Sequence, residues 1–178
     1  MMIEFDPVEK KWSDKFTYKL KNILSECFIK ESSQEIDMHE NVDLIINPAT
    51  ISCRVRNFKY FENHAHEFTI RSSRSSGHET ELHKIIDGKG DYILYAFAEP
   101  DNSDDIHAWV LIDLKKFRSW YTTYLMNHSG EKPGMEITSA NTTFTVFDLT
   151  NIEPSVIKDM SDNLKYKLNH KKDLLVTI

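Results

Sequence analysis

Arg54, Arg56, Lys59, Arg71 and Arg74 crowd one window of the chain that holds only two acids, Glu62 and Glu67. In the run Ile51-Ser52-Cys53-Arg54-Val55-Arg56-Asn57-Phe58, Ile51, Cys53 and Val55 alternate with Ser52, Arg54, Arg56 and Phe58. Such alternation predicts a strand whose two faces differ, with the guanidinium groups on one of them. Arg71 and Arg74 fall on the next predicted strand and on the loop after it, Ser72-Ser73-Arg74-Ser75-Ser76-Gly77. Guanidinium groups, serine hydroxyls and free backbone N–H groups ahead of a helix start, with Gly77 just before it, are the groups that hold phosphate oxygens. The same residues also fit a plain solvated strand face and an ordinary serine loop, and both readings stand on the residues alone. His64-Ala65-His66, if extended, sets two imidazoles on one face. A zinc site needs further ligands at suitable spacing, so these are expected to be surface histidines. Neither a phosphate-binding G-x-x-x-x-G-K-[ST] loop, a G-x-G-x-x-G turn nor a G-x-S-x-G elbow occurs in the sequence.

The elements that must carry these groups can be laid out from periodicity. Asp6-Pro7-Val8-Glu9 has the form of a helix start, and Val8, Trp12, Phe16, Leu20, Ile23, Leu24, Cys27 and Phe28 form one apolar stripe at helical spacing. Residues 31–41 are polar and predict a loop, and Val42 to Ile46 a short strand closed by Asn47-Pro48. The strand from Ile51 is expected to run to Tyr60, and the next to span Glu67–Arg71. A short helix over Glu79–Asp87 should end at Gly88. Tyr92–Ala98 is almost wholly apolar, the mark of a central strand covered on both faces, with Ala108–Ile112 as its neighbour. A helix over Leu114–Met126, a strand over Thr142–Leu149 and a helix over Glu153–Leu168 complete the order. The expectation is one α/β (α+β) domain over residues 1–178, a single mixed central sheet flanked by helices.

Composition narrows the classes. The chain has 178 residues, 22 basic and 28 acidic side chains and a formal charge of −6. A uniformly acidic surface would repel phosphate, so a nucleic-acid partner would have to be met on the local basic window, with strong dependence on salt. Cys27 and Cys53 belong to no paired motif, and Cys53 is expected to pack against apolar neighbours. No apolar run is long enough for a bilayer and the first residues have no signal-type stretch, so a cytoplasmic location and no membrane partner are expected. Trp109, Phe117, Trp120, Tyr121 and Tyr124 gather in the last third, and the loop Glu99–Asp105 concentrates acid. Both suit contact with a protein partner, for example as an inhibitor or adaptor acting on a host defence enzyme.

The order of elements, with an acid at the start of an early strand and charged residues alternating on the next, resembles the PD-(D/E)XK nuclease superfamily. That resemblance covers roughly residues 8–98. It implies a restriction-endonuclease-like fold, a nucleic-acid substrate (DNA or RNA) and hydrolysis assisted by Mg²⁺. Asp43 stands where the family's first metal-binding acid would, and Arg54-Val55-Arg56 where its E-x-K triplet would. Arginine stays protonated and repels a divalent cation, so the triplet is degraded here. Glu67, Glu26 or Glu40 would have to supply the second acid; with Glu67 in that role, Asp43 and Glu67 are the candidate catalytic pair and Asp43 the candidate metal ligand. As a strand-edge residue Asp43 equally fits a capping role. The segments TIRSSRSSG and TELHKIIDGKGDYILYAF also resemble a phage or mobile-element family without an assigned activity.

Overall fold

The computed structural model describes residues 12, 14–31, 33, 44–100, 103–139 and 141–176. The predicted helix start at Asp6-Pro7 and the candidate acids Glu40 and Asp43 lie outside them. The first described helix, α1 (Thr17–Phe28), continues the predicted apolar stripe: Leu20 and Phe28 are buried, and Ile23, Leu24 and Cys27 pack beside them. It leads into β1 (Ile29–Glu31), which pairs antiparallel with β2 (Leu44–Ile46) as a two-stranded ribbon. The polar sequence from Glu31 gave no sign of β1.

The arginine-bearing strand β3 (Ile51–Arg56) stops short of Tyr60. Asn57 turns the chain by accepting a hydrogen bond from the Lys59 amide, and α2 (Phe58–His64) follows. Phe61 and Ala65 are buried four residues apart and Phe58 packs with them. This helical spacing overrides the aromatic, strand-favouring composition of Phe58-Lys59-Tyr60. Next come β4 (Glu67–Arg74), longer than expected, and α3 (Glu81–Ile86), closed at Gly88 as predicted. β5 (Tyr92–Ala98), β6 (Ile106–Asp113) and α4 (Leu114–Asn127) match their predicted segments within two residues. β7 (Met135–Ser139), which was not foreseen, forms a hairpin with β8 (Thr142–Asp148).

The predicted helix over 153–168 is instead a 3-10 turn (Pro154–Val156), a strand β9 (Ile157–Met160) and a later helix α5 (Asp162–Val176). Ile157 and Met160 pack inward while Lys158 and Asp159 are exposed, and β9 lies beside β6, pairing Ile112 with Ile157 and Val110 with Met160.

The fold is mixed α/β, as expected, but the single sheet is not. β3-β5-β6-β9 make a four-stranded sheet and β4-β8-β7 a separate three-stranded one, besides the β1-β2 ribbon. β3 runs parallel to β5, and the other pairings are antiparallel. As read from its apolar run, β5 is central and covered on both sides. Ile93, Tyr95 and Phe97 enter one core cluster, shared with Phe68, Ile70, Phe147 and Phe117. Leu94, Ala96 and Ala98 enter a second, which α1 covers through Phe16, Leu20 and Phe28. The division arises because α2 carries the chain from β3 into β4 without a hydrogen-bonded ladder between them. Among the described residues no helix is long and apolar enough to cross a membrane.

Candidate functional site

β3 and β4 are outer strands of different sheets, and Arg54 lies where these edges approach. Arg54 is in register with Tyr95, so its side chain points toward the larger core cluster. One guanidinium nitrogen donates to the Thr69 carbonyl of β4 at 2.6 Å and the other to Glu81 Oε2 of α3 at 2.6 Å. The same carboxylate oxygen accepts from the Arg71 amide at 3.3 Å. The ion pair thus takes up a carbonyl and an amide that β4 presents on the side away from β8, where a further strand would otherwise bond. The Tyr95 hydroxyl and Thr69 Oγ1 meet at 3.3 Å along the same line. Arg54 is therefore committed to joining the two sheets.

Its neighbours are placed differently. The Arg56 guanidinium lies 4.1 Å from the centre of the Tyr60 ring, and Lys59 Nζ lies 5.2 Å from the same ring. Lys167 of α5, distant in sequence, brings its ammonium to within 5.9 Å of the ring of Phe61, the next residue of α2. Cations set on aromatic faces are held by the ring quadrupole and lose less freedom on meeting an anion. Sequence reading could name Arg56 and Lys59 but had no local signal for Lys167, which reaches α2 through tertiary packing alone. Arg71 sits over Phe144, its cross-strand partner on β8, at 5.6 Å.

Arg74 closes β4, and its carbonyl accepts from the Gly77 amide. Gly77 has a φ of +70°, which only glycine adopts freely. It does not directly precede a helix as expected: His78, Glu79 and Thr80 intervene, and Glu81 in the first turn of α3 opposes a phosphate there.

The histidine pair is not extended. His64 ends α2 and His66 precedes β4, and both turn to Glu67: His64 Nδ1 is 3.1 Å from Oε2 and His66 Nε2 3.2 Å from Oε1. Glu67, the candidate second acid, thus lies with two imidazoles, and His66 also stands 3.9 Å from Asp148. No group of three or more His, Cys, Asp or Glu side chains that could hold a metal ion is present among the described residues. Glu26 lies exposed on α1.

Two other sequence features have structural partners. In the acidic loop, Asp104 pairs with Lys15 and Asp105 with Lys19, tying the loop to the start of α1. The bond to Asp105 holds the Lys19 ammonium above its ordinary pKa. Of the aromatic group, Phe117 and Tyr121 are core, whereas Trp120 and Tyr124 are only partly covered. Cys53 lies on the predicted face of β3 but is exposed, although Ile51 and Val55 on either side of it pack against the cluster that α1 covers. Partial desolvation of the sulfur still raises its thiol pKa, which disfavours the thiolate a nucleophile needs.

Comparison with protein-family models, with curated proteins and with solved structures finds no match.

Proposed function

We propose that this protein is a nucleic-acid-binding domain of nuclease-like type whose β3–α2 surface contacts the phosphate backbone through Arg56 and Lys59. The observation that carries this reading is the seating of two cations on the single ring of Tyr60. An acidic protein binds a polyanion only where its cations are concentrated and already ordered, and this is such a place. The resemblance of the sequence to the PD-(D/E)XK superfamily supports the same class of ligand. In this reading Arg54 and Arg56 have replaced the metal-binding triplet, Arg54 serving the fold and Arg56 the ligand.

The test is a binding and cleavage assay on single- and double-stranded DNA and RNA, with Mg²⁺ or EDTA, over a range of salt. Two or three phosphate contacts predict a slope of about −2 to −3 in log K against log salt, and Arg56→Ala with Lys59→Ala should flatten it by about two. Binding that is absent, or unchanged in this double variant, would refute the proposal. Cleavage abolished by EDTA and by Asp43→Ala would instead make the protein a Mg²⁺-dependent nuclease.

A further inference from the structure

The end of the three-stranded sheet holds a second arrangement, apart from the basic surface. A cavity of about 340 Å³ opens there, lined by Glu67, Asp148, Trp120, Tyr124, Gly134 and Phe147 among others. This volume is of the order that small ligands occupy.

Glu67 and Asp148 are direct cross-strand partners on β4 and β8. Like charges opposite one another weaken a sheet and draw N–H-bearing groups to them, and His66 stands beside both, 3.2 Å from Glu67 and 3.9 Å from Asp148. The Glu67 carboxylate is met by the imidazoles of His64 and His66. Asp148 Oδ1 accepts from the amide and hydroxyl of Thr150, which fixes the carboxylate.

The remaining walls are stiff and aromatic. Trp120 and Tyr124 stand one helical turn apart with ring centres 6.0 Å from each other, and His128 stacks at 3.8 Å on one face of Tyr124. Gly134 closes another side with a φ of +91°, its backbone so near β8 that an added Cβ would lie 2.5 Å from the Val146 carbonyl. The nearby cation Lys132 is paired with Glu136. Two carboxylates and two electron-rich rings on one small cavity select a positive ligand, and the carboxylates favour one with N–H donors over a quaternary ammonium.

We infer that this cavity binds a small organic cation, an alkylguanidinium or alkylammonium, with its head at Glu67 and Asp148 and its chain against Trp120 and Tyr124. The site is independent of the nucleic-acid reading, since none of Arg56, Lys59 or Tyr60 lines it.

The experiment is an NMR titration of the full chain with butylguanidinium, butylammonium and the neutral isostere butylurea. Saturable amide shifts confined to the cavity residues are expected for the two cations and not for butylurea, and Glu67→Gln should weaken cation binding by about tenfold or more. Equal shifts with butylurea, shifts spread over the surface without saturation, or no shifts at all would overturn the inference on the unaltered protein. So would a folded Glu67→Gln variant that binds the cations as tightly as the original chain.

Discussion

Replacing Arg54 by Met tests whether this residue holds the two sheets together. The change keeps the length and apolar stem of the side chain while removing the charge and both donors. Two hydrogen bonds are lost, to the Thr69 carbonyl and to Glu81, both at 2.6 Å, and Glu81 keeps only the Arg71 amide at 3.3 Å. Bonds to charged groups contribute roughly 1.5–3 kcal/mol each. The side chains of Arg54 and Glu81 remain 22% and 25% accessible, so water replaces part of what is lost. A destabilisation of about 2–3 kcal/mol follows, or a fall in Tm of about 4–12 °C for a chain of this size. Urea denaturation at neutral pH measures it. Adding Glu81→Leu to the variant removes the stranded carboxylate, so the double variant should be more stable than the sum of the single changes, by about 1–2 kcal/mol. A cost below about 0.5 kcal/mol for Arg54→Met, or strict additivity in the cycle, would refute the bridging role. Nucleic-acid binding at a temperature where the variant is folded should be unaffected, in contrast to Arg56→Ala.

The other predictions concern separate parts of the fold. Gly134→Ala forces a Cβ against the Val146 carbonyl at a positive φ, and should lower stability by about 1–3 kcal/mol in thermal melts. Thr145 is buried with its hydroxyl unsatisfied among the described residues, so Thr145→Val should be neutral or raise stability by about 1 kcal/mol. Asp91 joins the starts of β5 and β3 by accepting from the hydroxyl and amide of Thr50, which holds its carboxyl below the ordinary range. A depressed folded pKa stabilises fully above the unfolded value and less as pH falls through the folded one. Asp91→Asn should therefore be less stable at neutral pH and show a shallower loss of urea midpoint between roughly pH 5 and 2. Phe68→Ala, in the stacked group with Phe147, should cost about 3–5 kcal/mol by the same measurement.

Features that follow from one segment's own periodicity were legible in the chain. The stripe of α1, the alternation of β3 and the two-sided burial of β5 each repeat a local pattern that solvent exclusion enforces wherever the segment ends up. Short elements were lost where composition and burial disagreed. α2 carries strand-favouring aromatics, β9 lies inside the segment expected to be one helix, and β7 is exposed along its whole length. The sequence alone likewise marked the basic window, because charge and spacing are written there directly. The roles of its members were decided only by the tertiary structure. Arg54 and Arg56 are two residues apart on one strand face, yet the first meets Glu81 across the gap between two sheets and the second meets Tyr60 one turn into a helix. The pairing of Glu67 with Asp148, eighty-one residues apart, depends on the register of β4 against β8, and the cavity beside them on where α4 packs. Such contacts depend on the positions of other elements, and no local pattern in the chain encodes them.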